Sequence, residues 1–73
     1  MQPEQITEVV DAILRYLQSH PDAVDSAEGI AQWWLPEAWC VDVHTVQAAL
    51  DRMRDQGLIR QRANADRHVL YSR

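Results

Sequence analysis

Apolar residues recur at three- and four-residue steps through Ile6, Val9, Val10, Ile13, Leu14 and Leu17, which predicts an amphipathic helix from about Pro3 to Ser19. Its polar face carries Glu4, Glu8, Asp11, Arg15 and Gln18. Pro21 ends it, because proline has no amide hydrogen and forces the residue before it towards extended geometry. Residues 23–25 form a short link that can pair as a minimal strand. Asp25-Ser26-Ala27-Glu28 then reads as a capping box opening a second helix that runs to about Leu35. Ala27, Ile30, Ala31 and Trp34 make its inward face, Gly29 weakens it slightly, and Pro36 stops it. A third helix begins after Asp42, whose carboxylate can cap the amide of His44 or Thr45. Val46, Ala49, Leu50 and Met53 are its buried stripe, Gln47 lies on its exposed side where truncation should cost little, and Gly57 ends it in a left-handed conformation.

Past Gly57 the period drops from near four to two. Leu58 to Arg62, a turn around Asn64-Ala65-Asp66, and His68 to Ser72 predict a β-hairpin with arginines on its flanks. Three helices followed by a hairpin describe an α+β fold, a winged helix-turn-helix whose hairpin is the wing, in one domain spanning residues 1–73. A chain this short buries a small share of its surface, so nearly every apolar residue is needed in the core. At 47% apolar and 25% charged, its composition is that of a folding chain.

The run of residues 46–59 resembles the recognition helix and first wing strand of winged-helix transcriptional regulators. Asp66-Arg67-His68-Val69-Leu70 is similar to the wing of the MarR family, where an Asp-Arg element precedes the second strand. The resemblance covers residues 24–73 in outline and 46–70 in detail. It implies a DNA-binding, transcription-regulatory domain in which His44, Gln47 and Ala48 face the major groove. Arg60, Arg62 and Arg67 would lie on the backbone or in the minor groove. The chain departs from the family in leaving no room for flanking dimerisation helices. Its link over residues 36–41 is also longer than a tight turn, and no Arg or Lys occupies the first two turns of the third helix.

Charge is segregated along the chain. Residues 1–51 hold nine acids and one base, Arg15, whereas residues 52–73 hold six arginines against Asp55 and Asp66. All seven basic residues are Arg, the side chain suited to forked recognition of phosphate or carboxylate. Arg60, Arg62 and Arg67 therefore read either as a nucleic-acid contact or as a solvated wing surface, with Asp51 and Asp55 opposing the first. A domain this small binds weakly alone, so a homodimer is expected.

The alternative reading is a protein-interaction module in which an exposed tryptophan patch docks a partner and the acidic body repels nucleic acid. Helical phase turns Trp34 inward as the core aromatic, sets Trp33 to one side, and leaves Trp39 in a loop as the most accessible of the three. Cys40 and His44 are four apart, but the cap at Asp42 separates them, and His20 and His68 lie on other elements, so no metal site is expected. No oxyanion or phosphate loop accompanies Cys40, so no catalytic residues and no cofactor are expected either. A single cysteine permits no internal disulfide, the first residues carry acids where a secretion signal carries Lys or Arg, and no apolar run exceeds residues 38–41. These features fit a cytoplasmic protein without a membrane span.

Overall fold

The computed structural model describes residues 3–36 and 39–73. Three helical segments and a three-stranded antiparallel sheet make an α+β arrangement, ordered α1 (Pro3–Ser19), β1 (Val24–Asp25), α2 (Ala27–Gly29), a π-helical turn (Ile30–Trp34), α3 (Val43–Asp55), β2 (Arg60–Ala63) and β3 (Val69–Ser72). Positions 37 and 38 of the link between the second and third helical segments lie outside the described residues. Among the described residues no helix is long and apolar enough to cross a membrane.

α1 buries Val9, Val10, Ile13 and Leu17, the stripe set by its three- and four-residue spacing. The His20 amide still reaches the Tyr16 carbonyl at 2.8 Å, and the chain then turns through Pro21 so that the Ala23 amide meets the His20 carbonyl at 3.0 Å. α2 differs from the sequence reading at its start. Ser26 is the N-cap, its hydroxyl accepting from the Gly29 amide at 3.2 Å. Asp25 sits one residue earlier, accepting from the Ser26 amide at 2.8 Å, so Glu28 is not in the third helical position that a capping box needs and stays exposed. A β-carbon at Gly29 would push the Asp25 carboxylate from its place.

Beyond Gly29 the segment widens into the π-helical turn, which buries both Ile30 and Trp34. The Trp34 ring stacks on Tyr16 (centroids 4.7 Å apart) and Tyr16 in turn on His20 (4.2 Å). Leu35 is extended and buried, ending the helix ahead of Pro36.

α3 begins where Asp42 accepts from the Thr45 amide at 2.8 Å, and its stripe of Val46, Ala49, Leu50 and Met53 is fully buried, chiefly against α1. It closes with the Leu58 amide on the Met53 carbonyl (2.8 Å) and the Gly57 amide on that of Arg54 (3.0 Å). That pair of hydrogen bonds needs a left-handed residue, which Gly57 supplies at φ 74°. The sheet is ordered β1-β3-β2, with Val24 opposite Ser72, Gln61 opposite Tyr71 and Arg62 opposite Leu70. Residues directly opposite share a face. Tyr71, 2% exposed, therefore marks the face turned to the helices, together with Gln61, while Arg60, Arg62, Leu70 and Ser72 lie on the other.

Candidate nucleic-acid interface

The hairpin tip is organised by Asn64. Its amide donates to the His68 carbonyl at 2.9 Å, its carbonyl accepts from the Arg67 amide at 3.0 Å, and its side-chain oxygen accepts from the amides of Asp66 (2.9 Å) and His68 (3.0 Å). A short side chain that folds back onto the backbone two residues on is how asparagine stabilises a turn. The same turn puts Arg67 at φ 63°, a left-handed conformation that is disfavoured for a residue with a β-carbon.

Two contacts fasten the inner face of the hairpin to α3. Gln47 Nε2 donates to the Tyr71 hydroxyl at 2.8 Å and to Asp51 Oδ1 at 3.0 Å, and the Arg54 guanidinium donates to Gln61 Oε1 at 2.8 Å. Both amide hydrogens of Gln47 are thereby taken, leaving its carbonyl oxygen for any outside partner. Between the hairpin tip, the start of α2 and α3 lies an open groove of about 440 Å³ lined by Ser26, Glu28, Gln47, Arg67, His68 and Tyr71.

The six residues expected to meet nucleic acid are thus divided. Gln47 and Arg67 share the groove, whereas Arg60 and Arg62 lie on the opposite face of the hairpin. His44 is exposed on the first turn of α3 and Ala48 is half-buried. Beside His44, the Thr45 amide and then the Thr45 hydroxyl hold the Asp42 carboxyl below its ordinary range, with a smaller contribution from His44 itself.

The arginines divide as well. Arg54 lies 3.8 Å from Asp51 and 3.4 Å from Asp55, and Arg52 donates to the Thr7 hydroxyl at 3.3 Å. Among the described residues the side chains of Arg60, Arg62, Arg67 and Arg73 make no ion pair or hydrogen bond, and all four are exposed. Residues 56–73 carry these four arginines against Asp66 alone.

Away from the hairpin, Trp33 is 69% exposed and Trp39 40%, so the most accessible tryptophan is Trp33 and not Trp39. The π-helical turn aims Trp34 inward and its neighbour out. Trp39 with Arg15, Tyr16, His20, Trp34 and Pro36 frames a shallow concavity of about 270 Å³. Sequence reasoning placed Asn64 in the turn and Asp51 on the third helix but did not give their bonds, and it assigned Gln61 no role, because these depend on partners across a turn or between elements. Of these, Asn64 alone carried a local signal, as a turn-forming residue between the two hairpin strands. No known protein family, curated protein or solved structure matches the chain.

Proposed function

We propose that the chain is a winged-helix domain that binds duplex DNA chiefly through its hairpin, with α3 in a supporting position. The observation that carries this reading is the placement of unpaired guanidinium groups on both faces of one thin ribbon: Arg67 beside the inner groove, Arg60 and Arg62 on the outer face. A ribbon lying flat on a surface uses one face. A ribbon lying between two phosphate walls uses both, and arginine is the side chain that enters a narrow groove with least desolvation.

α3 supports the reading less than its position suggests. Asp51 and Asp55 lie along it, and the donors of Gln47 are occupied by Tyr71 and Asp51. His44 alone offers a free polar side chain on the first turn. Affinity then comes mainly from phosphates, with strong salt dependence and modest sequence preference.

The test is a salt titration of binding to a generic duplex. Each arginine removed from Arg60, Arg62 and Arg67 should flatten the slope of log K against log salt by about 0.9. His44→Ala should leave the slope alone and change preference among sequences. A wild-type domain with no duplex affinity at low salt, matched by the triple arginine variant, overturns the reading.

A second reading is favoured by Trp33, which stands exposed on a π-helical turn, an irregularity often found at functional sites. It makes the chain a protein-docking module anchored by Trp33 and Trp39. Trp33→Ala would then abolish partner capture with little loss of stability, and the salt dependence on duplex DNA would be absent.

A further inference from the structure

β2 is the outermost strand of the sheet and pairs with β3 alone. The ladder fixes which of its backbone groups face outward. The Asn64 amide bonds the His68 carbonyl, so positions 64 and 68 form a hydrogen-bonded pair. Alternation then makes Arg62 with Leu70 and Arg60 with Ser72 hydrogen-bonded pairs, and Gln61 and Ala63 the positions between them. The N–H and C=O groups of Gln61 and Ala63 therefore point away from β3. No described backbone bond takes them up, and all four residues of β2 are exposed. The edge offers two donors and two acceptors in the spacing of a further strand.

Its side chains decide what that strand can be. A second copy pairing antiparallel through β2 would set Arg60 and Arg62 against the same arginines of the other chain, which like-charge repulsion disfavours. An incoming strand with carboxylates at every second position meets the opposite situation. Arg60 and Arg62 lie on one face, two residues or roughly 7 Å apart, and neither makes an ion pair with a carboxylate among the described residues.

We propose that the outer edge of β2 takes up an extended acidic segment of a partner polypeptide as a fourth strand. The backbone of Gln61 and Ala63 supplies the ladder, and Arg60 and Arg62 select Glu or Asp at alternate positions. This does not rest on the DNA reading, since strand addition is measured without DNA. The two ligands compete for the same guanidinium groups.

The probe is a capped peptide alternating Glu and Thr, with a Lys and Thr peptide as control, followed by amide hydrogen exchange on the intact chain at low salt. The Glu peptide should raise protection at the Gln61 and Ala63 amides by about tenfold or more while leaving the Arg62 amide, already bonded within the hairpin, nearly unchanged. Ala63→Pro removes one outward donor at an edge position and should weaken peptide binding by about tenfold. The double variant R60E/R62E should reject the Glu peptide and accept the Lys peptide, protecting the same two amides. It decides the matter if the proline variant does not fold. The proposal is overturned if the wild-type chain binds no Glu peptide or binds it without protecting those amides, or if Ala63→Pro binds it as wild type does. It is equally overturned if duplex DNA, and not the peptide, protects them.

Discussion

The same residue type does different work in two halves of this molecule. In α3, Arg52 and Arg54 are bound to their own chain, through Thr7, Gln61, Asp51 and Asp55. In the hairpin, the guanidinium groups of Arg60, Arg62 and Arg67 project with no partner among the described residues. The helical body holds most of the buried core and almost all of the acids, while the segment after Gly57 contributes Ile59 and Tyr71 to that core. Net charge alone therefore misdescribes the protein. An overall −4 combines a strongly acidic body with a basic, mostly exposed extension, and what such a chain attracts depends on which end a ligand meets.

If stability resides in the body and contact in the hairpin, substitutions should separate the two. The largest effect belongs to Leu50→Ala. It removes a fully buried side chain facing α1 and should cost about 2 to 5 kcal/mol in denaturant melts, leaving the salt slope of the folded fraction unchanged. Arg60→Ala should do the reverse, with a stability change within about 0.5 kcal/mol. Equal losses for the two would erase the division.

Gln47 is where the halves are joined, and the expected effect is next in size. Gln47→Ala leaves the buried Tyr71 hydroxyl without its partner and should cost about 1 to 3 kcal/mol, more than the exposed position read from the sequence implied. Tyr71→Phe in that background removes the orphaned hydroxyl and should recover part of the loss. If Gln47→Ala instead melts like wild type while changing sequence preference on DNA, the amide is a base-reading group and not a strut.

The periodic features were legible because they are local. Three- and four-residue spacing fixed α1 and the buried face of α3, and the switch to period two at Gly57 located the hairpin. What failed had non-local or crowded causes. Asp25 and Ser26 are both good caps, and which one serves depends on β1 pairing with β3, which sets Val24 opposite Ser72 far along the chain. The π-helical turn buries both Ile30 and Trp34 and departs from ordinary helical phase, which sets Trp33 only to one side, while a loop position made Trp39 the expected most accessible tryptophan. The candidate site was legible as a set of residues and not as a surface. Period two does assign Arg60 and Arg62 to one side of a strand, but which side faces α3 is known from the contacts of Tyr71 with Gln47 and of Gln61 with Arg54.

A smaller effect separates the halves by pH. The folded chain holds the Asp42 carboxyl below its ordinary value through Thr45, so the unfolded chain binds the proton more readily. That contribution is present above the unfolded carboxylate pKa of about 3.9 and is lost as pH falls through the lower folded value. Asp42→Asn keeps a good cap without the charge. The stability advantage of wild type over this variant should be seen at neutral pH and should shrink on acidification below about pH 4. A constant difference across that range would mean that the charge of Asp42 does nothing for α3.

The smallest expected change in stability has the clearest functional reading. Arg67 occupies a left-handed conformation at the hairpin tip, which glycine adopts without the β-carbon clash that Arg67 bears. Arg67→Gly relieves that strain but adds freedom to the unfolded chain, so the two terms oppose and the melt should move by only about 0.5 kcal/mol or less. The Asn64 hydrogen bonds use backbone amides and survive the substitution. What is lost is the guanidinium beside the inner groove. If the hairpin lies between two phosphate walls, the variant should fold as well as wild type and lose about one unit of salt slope. Combined with R60A/R62A, which strips the opposite face, it should abolish the remaining dependence contributed by the hairpin. A hairpin that only lies flat on its outer face gives a different pattern: Arg67→Gly then leaves the slope intact, and the loss appears entirely in the outer pair. The comparison of slopes at matched stability thus tells whether one face or two meets the duplex.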